Sequence, residues 1–268
     1  MIQKAKIVTL ILFGLLFIHL SAQQDEFSND KAAKLPDDER TFRFGLQFNP
    51  NASWFKSNTN DYISGGADMG FSYGLSFEYF MTKNYLFSTG LFMLNTSGKL
   101  NYTSTVSRLS QNYTADIEAQ YNLKYIEIPL MIKLRTNEIG YLTYFGQFGL
   151  TTGFNFGSSA DFDYSYEDAQ SSIIAYHSES VKNISQDVNW LNIALVIGVG
   201  IEYNISGNTS LLLGLAYHNG FINQMDTKLN EFDANGKALF DNDGNAMYSD
   251  KDVSANLNYI ALNIGIFF

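Results

Sequence analysis

The sequence contains no cysteine. Disulfide frameworks and thiolate metal sites are therefore excluded, and so is the residue on which a lipoprotein carries its lipid. Proline is scarce, three in 268 residues, so little interrupts long extended segments. Basic charge is short. Lys and Arg number 17 against 27 Asp and Glu, and without Lys4 and Lys6 of the leader the balance is 15 against 27. Nucleic acid is excluded as a partner on that ground, because neutralising phosphates needs clustered Lys and Arg. Long hydrophobic runs are also wanting. The stretch Ile7 to Leu20 is too short for a comfortable membrane span, and the mean hydropathy of −0.10 excludes a bundle of transmembrane helices.

That short run sits behind Lys4 and Lys6 and ahead of the small residues Ser21-Ala22. The pattern predicts a secretory signal peptide over residues 1–22, cleaved on export. Residues 23–41 are charged and nearly free of bulky apolar groups, as in QDEFSNDKAAKLPDDERT, and predict a flexible periplasmic lead-in. Residues 42–268 hold what the chain is rich in: most of its 22 Phe, 17 Tyr and 21 Gly. That mixture favours strands over helices.

A period of two recurs through this region, which is the mark of strands. The last residues, NLNYIALNIGIFF, place Ile260, Leu262, Ile264, Ile266 and Phe268 on one face and Tyr259, Ala261, Asn263, Gly265 and Phe267 on the other. Seven earlier segments alternate likewise: Phe42–Phe48 with a continuation toward Trp54, Met69–Met81, Tyr85–Asn95, Leu123–Arg135, Tyr141–Phe156, Trp190–Ile205 and Ser210–Asn219. In each, one face is bulky and apolar and the other mixes small, polar and charged residues. The joins alternate strictly between tight and long. Thr82-Lys83-Asn84, Asn137 to Gly140 and Ser206-Gly207-Asn208-Thr209 are turns. The long joins run from Phe55 to Asp68, Thr96 to Asn122, Gly157 to Asn189 and Gly220 to Asn256.

Eight such strands predict an all-β fold: a transmembrane antiparallel up-and-down barrel with long extracellular loops and short periplasmic turns. The apolar face meets lipid, where every backbone polar group must be paired within the protein, so the last strand has to seal against the first. Phe42, Tyr79, Tyr85, Tyr141, Tyr203 and Tyr217, near strand ends, suit an interfacial aromatic girdle. A lipocalin-like barrel or a β-sandwich also alternates, but its loops do not sort by length. Ten strands would follow if the third long loop, around Ile173 to Tyr176, held a further pair. The second and fourth long loops could continue their strands as hairpins above the membrane. Pro129 removes a ladder donor inside a closed sheet, and a bulge is expected there.

Four stretches carry a family likeness: YIEIPLMIKL (Tyr125–Leu134), IGYLTYFGQFGL (Ile139–Leu150), GVGIEYNISGNTSLLLGL (Gly198–Leu215) and YIALNIGIFF (Tyr259–Phe268). The chain resembles the PorT-like outer-membrane β-barrel proteins of the Bacteroidetes. The resemblance implies a Gram-negative outer membrane and a multi-pass barrel. The family's namesake is implicated in secretion across that membrane and in gliding. The resemblance implies no catalytic or ligand residues.

Several constellations invite chemistry. Gly70-Phe71-Ser72-Tyr73-Gly74 matches the nucleophile motif G-x-S-x-G, but that motif needs a strand, a sharp turn and a helix, and here it lies within an alternating strand. Tyr176-His177-Ser178-Glu179 gathers His, Ser and a carboxylate in the third long loop, where a lipid-modifying enzyme would need nucleophile and base in contact. Asp233 to Gly236 and Asp241 to Gly244 suggest calcium, but the spacing of a full binding loop is lacking, and hairpin tips explain the Asn-Gly and Asp-Gly pairs as well. Gly198 and Gly200 lack the third glycine and the helix of a dinucleotide site. The third long loop is acidic, with Asp161, Asp163, Glu167, Asp168, Glu179 and Asp187 against Lys182 alone. One reading of that charge is bridging through divalent cations to neighbouring lipopolysaccharide.

Strand parity aims Arg43, Glu78, Glu127, Lys133, Glu202 and His218 into the lumen. An eight-stranded barrel is just wide enough for side chains to fill, so pairing into an interior plug is expected rather than a wide pore. The expectation is a monomeric, non-enzymatic barrel without cofactor, of structural or interaction type. Its partners are the bilayer, lipopolysaccharide and proteins of an envelope or secretion machine. The alternatives are a narrow porin-like channel for small solutes and an outer-membrane lipid-modifying enzyme.

Overall fold

The computed structural model describes residues 41–108, 111–167, 174–230, 239 and 247–268. The expected signal peptide and nearly all of the lead-in lie outside these residues, as do both calcium candidates, Asp233 to Gly236 and Asp241 to Gly244. In chain order the strands are β1 (Phe42–Ser57), β2 (Tyr62–Ser64), β3 (Asp68–Phe80), β4 (Tyr85–Arg108), β5 (Gln111–Arg135), β6 (Leu142–Glu167), β7 (Ile174–Val181), β8 (Leu191–Ser206), β9 (Thr209–Asn223), β10 (Lys228–Asn230), β11 (Tyr248–Asp252) and β12 (Ala255–Phe267). Eight of them close a ring in the order β1-β3-β4-β5-β6-β8-β9-β12, antiparallel throughout, with β12 returning to β1. The seam runs from Gly45 opposite Phe267 to Ser57 opposite Ala255. All eight expected strands are present. Gly140 (φ 68°) and Gly207 (φ 54°) supply the left-handed residues of two of the tight turns.

The apolar faces point outward, with Ile260, Leu262, Ile264 and Phe268 exposed and Tyr259, Ala261 and Phe267 buried. Strands of nine to eleven residues span a bilayer when tilted, and the lipid-facing part of β5, Ile126 to Leu134, fits that length. Aromatic pairs mark both edges of the band. Tyr141 and Tyr203 meet at 6.1 Å between ring centroids at the short-turn end. Trp54 stacks on Tyr217 at 6.2 Å, and Phe154 on Trp190 at 5.9 Å, at the other.

Above that band β4, β5 and β6 continue, and their polarity inverts. In β5 the inward residues Ala115, Ile117, Ala119, Tyr121, Leu123 and Tyr125 are apolar, while Asp116, Glu118, Gln120 and Asn122 point outward. From Glu127 downward the lumen turns polar and the outside apolar. The upper storey is therefore folded like a sheet in water, with its own core. There Phe55, Leu100, Ile117 and Tyr121 pack with Ile184, Val188, Met225 and Val253 from the loops. The second long loop does continue its strands as a hairpin, to Arg108 and Gln111. In the third, β7 pairs with the upper part of β6 but not with β8, so the ring keeps eight strands. The fourth adds four residues to the expected β9 end and a short β10–β11 pair.

Two residues correct the strand-level expectation. Pro129 makes no bulge. The β4–β5 register is the same at Thr89 opposite Leu130 and at Phe92 opposite Glu127, so the ladder only loses its pairing between them. Pro50 does the same in the β1–β12 ladder, between Phe48 opposite Ile264 and Asn51 opposite Ala261. A missing N–H removes a bond without adding a residue, so register survives. The bulge lies instead at the membrane line in β6. Lys124 faces Gly157 while Tyr125 faces Asn155, which leaves Phe156 as the extra residue.

Candidate functional site: the closed lumen

All six lumen candidates point inward, and they form two separate groups. The lower group is an ion layer. The Arg43 Nε donates to Glu78 Oε2 at 2.7 Å, and its Nη2 reaches Glu202 Oε1 at 2.5 Å. The Lys133 Nζ donates to Glu78 Oε1 at 2.8 Å and to Glu202 Oε1 at 2.5 Å. Arg135, which strand parity beyond Lys133 also aims inward, completes the layer with Nη2 at 3.0 Å from Glu202 Oε2. It was not among the expected residues because it ends the predicted strand. Three cations thus meet two carboxylates, and Lys133 is 0% exposed. Buried ion pairs hold only when remaining polar atoms also find partners. Aromatic rings supply part of this. The Lys133 Nζ lies 4.2 Å from the Phe145 ring centroid, and the Arg43 guanidinium lies 4.6 Å from that of Phe267. Phe267 has room for its ring because Gly45 faces it, where a Cβ would come within 2.7 Å.

The upper group is Glu127 and His218, joined by Tyr259. The Tyr259 hydroxyl donates to the Glu127 carboxylate, at 3.1 Å from Oε1 and 3.2 Å from Oε2. The His218 ring stacks on Tyr259 with centroids 4.0 Å apart and planes at 17°. Tyr259 lies on the inward face of the last strand, where parity alone could have flagged it. Between the two groups lies a chamber of about 70 Å³ lined by residues of all eight ring strands, Glu78 and Glu127 among them.

A third layer closes the lumen from above. The Tyr125 hydroxyl donates to Gln224 Oε1 at 2.6 Å, and Gln224 Nε2 donates to Asn192 Oδ1 at 3.2 Å and to the carbonyl of Ile222 at 3.0 Å. Beyond it stands the apolar core of the upper storey. The lumen therefore runs from an ion layer through a small polar chamber to an apolar plug.

Two of the other motifs lie within described strands. Ser72 lies in mid-strand β3 and accepts a hydrogen bond from Asn49 Nδ2 at 3.1 Å. His177 and Ser178 are neighbours in β7, so they face opposite sides of the sheet. His177 stacks on Tyr164 at 6.0 Å, while the Ser178 hydroxyl donates to Asp163 Oδ1 at 2.5 Å. They cannot act as a nucleophile–base pair. Asp161 accepts from Asn122 Nδ2 and from the Ser180 hydroxyl. Among the described residues no three His, Asp or Glu side chains gather as a metal site, and no helix is long and apolar enough to cross a membrane.

The sequence matches the outer membrane protein beta-barrel domain family over residues 21–226. Among solved structures the chain is similar to Ail, the attachment invasion locus protein of Yersinia pestis (14% identity, 84% of this chain and 98% of that one, TM-score 0.31). It is also similar to OprG from Pseudomonas aeruginosa (13%, 85% and 95%, TM-score 0.37) and to the outer membrane protease OmpT from Escherichia coli (10%, 85% and 95%, TM-score 0.29). These likenesses concern the barrel and carry no argument about activity. No curated protein sequence matches the chain.

Proposed function

Since this chain belongs to the outer membrane protein beta-barrel domain family, we propose that it is a closed, non-catalytic outer-membrane anchor that carries a binding sheet above the lipid surface. One observation carries this reading: the lumen is filled at two levels, by the buried ion layer of Arg43, Glu78, Lys133, Arg135 and Glu202 and by the apolar plug around Phe55, Leu257 and Tyr125. A filled lumen leaves a barrel its outside surfaces to work with.

The surface available is the outer face of the upper storey. There Asn101, Glu118, Asp163 and Ser178 stand in one cross-strand row, and Thr103, Asp116, Ser165 and Tyr176 in the next. All of these but Ser178, together with Asp61, border a groove whose charged lining residues are all carboxylates. Among the described residues β7 hydrogen-bonds to β6 alone, and Tyr176 is 80% exposed. A strand edge beside an acidic face suits an extended segment bearing basic residues, added to the sheet edge to edge. The resemblance to PorT-like barrels of the Bacteroidetes supports a partner within an envelope or secretion machine, and the acidic face also suits contact with lipopolysaccharide through cations. Residues 1–22 act in this proposal as the signal peptide removed on export.

Current through the purified, refolded protein in a planar bilayer tests the closed-anchor reading, with heat-modifiable migration on a gel as the check of folding. Silence is expected. A steady conductance that changes on Glu202→Gln or Lys133→Gln would replace the anchor by a narrow channel whose selectivity rests on the ion layer.

A further inference from the structure

Two of the three buried carboxylates in the lumen are matched by cations. Glu78 meets Arg43 and Lys133, and Glu202 meets Arg43, Lys133 and Arg135. The third, Glu127, meets none among the described residues. It is 4% exposed, and its hydrogen-bond partner is the Tyr259 hydroxyl, which touches both carboxylate oxygens. A carboxylate taken out of water without an opposite charge is strongly disfavoured unless something neutralises it.

Glu127 borders the chamber above the ion layer, and its surroundings have a definite chemical bias. No Lys or Arg lines that chamber. Asn49 Oδ1 and Thr151 Oγ1 line it, are buried and have no protein partner. Both residues are more than nine-tenths buried, at 6% and 3% exposure. The Asn49 amide nitrogen is committed to Ser72 Oγ, which leaves its oxygen as the free acceptor. His218 also lines the chamber, and its flat stack on Tyr259 positions the phenol at Glu127.

The chamber therefore offers one unmatched negative charge, several neutral oxygens and no positive group. Charge, donor type and size each limit what fits. One uncompensated carboxylate calls for a single positive charge. Oxygen donors suit hard cations, but calcium and magnesium draw on several carboxylates or on waters held between them, and no cluster of three metal-ligating side chains occurs among the described residues. A chamber of about 70 Å³ has room for one small ion and a few waters. We propose that this chamber is a binding site for a monovalent alkali cation, sodium or potassium, charge-matched by Glu127 and further coordinated by oxygens of Tyr259, Asn49 and Thr151. Because layers above and below close the lumen, the ion enters as the barrel seals and exchanges slowly afterwards.

The test compares full-length protein refolded and held in sodium, potassium or choline chloride at one ionic strength, which keeps general screening constant. The thermal midpoint of heat-modifiable migration is the readout. A ligand held only by the folded state raises stability with the logarithm of its concentration above the dissociation constant. The wild-type midpoint is therefore expected to rise by several degrees in sodium or potassium relative to choline, and to climb with alkali concentration. Glu127→Gln is expected to give one midpoint in all three salts, and Thr151→Val, which keeps the charge, a reduced alkali effect. Equal wild-type midpoints in the three salts would overturn the site, as would an undiminished alkali effect in Glu127→Gln. If Glu127→Gln does not fold, rubidium supplied during refolding of the wild type and located by anomalous scattering decides the matter. Density beside Glu127 supports the site, and its absence overturns it.

Discussion

Glu202→Gln is the substitution that most directly probes the ion layer. In the folded barrel Glu202 accepts from Arg43 and Lys133 at 2.5 Å and faces Arg135 at 3.0 Å. The amide keeps the shape but removes the charge, which leaves buried Arg43 and Lys133 and the partly exposed Arg135 facing Glu78 alone. Breaking a buried pair by neutralising one partner costs about 3–5 kcal/mol, or roughly two to three and a half decades in the folding constant. The natural comparison is Lys99→Gln. Lys99 and Glu118 also pair, at 3.1 Å, but both are substantially exposed, and such pairs contribute below about 1 kcal/mol. Urea unfolding of the refolded protein in lipid vesicles, read by tryptophan fluorescence and gel migration, measures both. The Glu202→Gln loss is expected to change little between low and high salt, because buried charges are poorly screened, whereas the Lys99→Gln loss is expected to fade. Adding Lys133→Met to Glu202→Gln removes one of the orphaned cations, so the double variant should lose less than the sum of the single losses, by about 0.5–3 kcal/mol of coupling. A Glu202→Gln loss no larger than that of Lys99→Gln would refute burial as the source of the layer's strength.

Deleting Phe156, the extra residue of the β6 bulge, restores regular alternation with Ser158 and Ala160 still inward, so the variant is expected to fold with its upper storey resistant to protease. Deleting Ser97 at a similar height in β4 would turn Lys99 and Asn101 inward, and that variant is expected to lose the resistance. Burial raises the Tyr62, Tyr102 and Tyr121 phenols in the upper storey above their ordinary range. A raised phenol binds its proton more tightly when folded, so its contribution is complete below pH of about 10 and is lost as pH climbs above that value. Absorbance at 295 nm should accordingly show part of the tyrosine ionising only together with loss of upper-storey structure. A smooth titration of every tyrosine near pH 10 in the folded protein would contradict the burial.

The membrane strands were legible because lipid outside and polar filling inside produce one unbroken alternation, as in Ile126 to Leu134 against Glu127 to Lys133. The upper storey was not, and the reason is physical. The expected strands ended where the outer face ceased to be apolar, at Asn95 in β4 and ahead of Leu123 in β5. Both strands in fact run on with their polarity exchanged, because water replaces lipid outside and loop residues such as Val188 and Met225 supply a core inside. In β6 the period itself slips at Phe156, so parity counted from either end disagrees with the other. Parity assigns each of the six lumen residues a face. It could not say that four of them gather with Arg135 while Glu127 stands apart with Tyr259, since that depends on height along the barrel, which barrel stagger sets.

Height also decides what it takes to open the lumen. The ion layer and the apolar plug share strands β1 and β5 but no side chain, and the chamber separates them. Neutralising Glu202 or Lys133 loosens the lower layer and leaves Tyr125, Phe55 and Leu257 packed above. Truncating Tyr125 to alanine removes the hydroxyl that holds Gln224 and leaves Arg43 clasped between Glu78 and Glu202 below. Each single change is therefore expected to keep a planar bilayer silent, although each lowers stability, the tyrosine truncation by about 3–5 kcal/mol. Joining Tyr125→Ala to a charge-balanced thinning of the lower layer, Lys133→Ala with Glu78→Ala, removes material at both levels without adding an unpaired charge. This combined variant is expected to conduct small ions, provided its heat-modifiable migration shows a folded barrel. Conduction by either half alone would mean that the layer it removes is the lumen's sole seal. Silence in the folded combination would place the decisive closure elsewhere, among the loop residues that cap the upper storey.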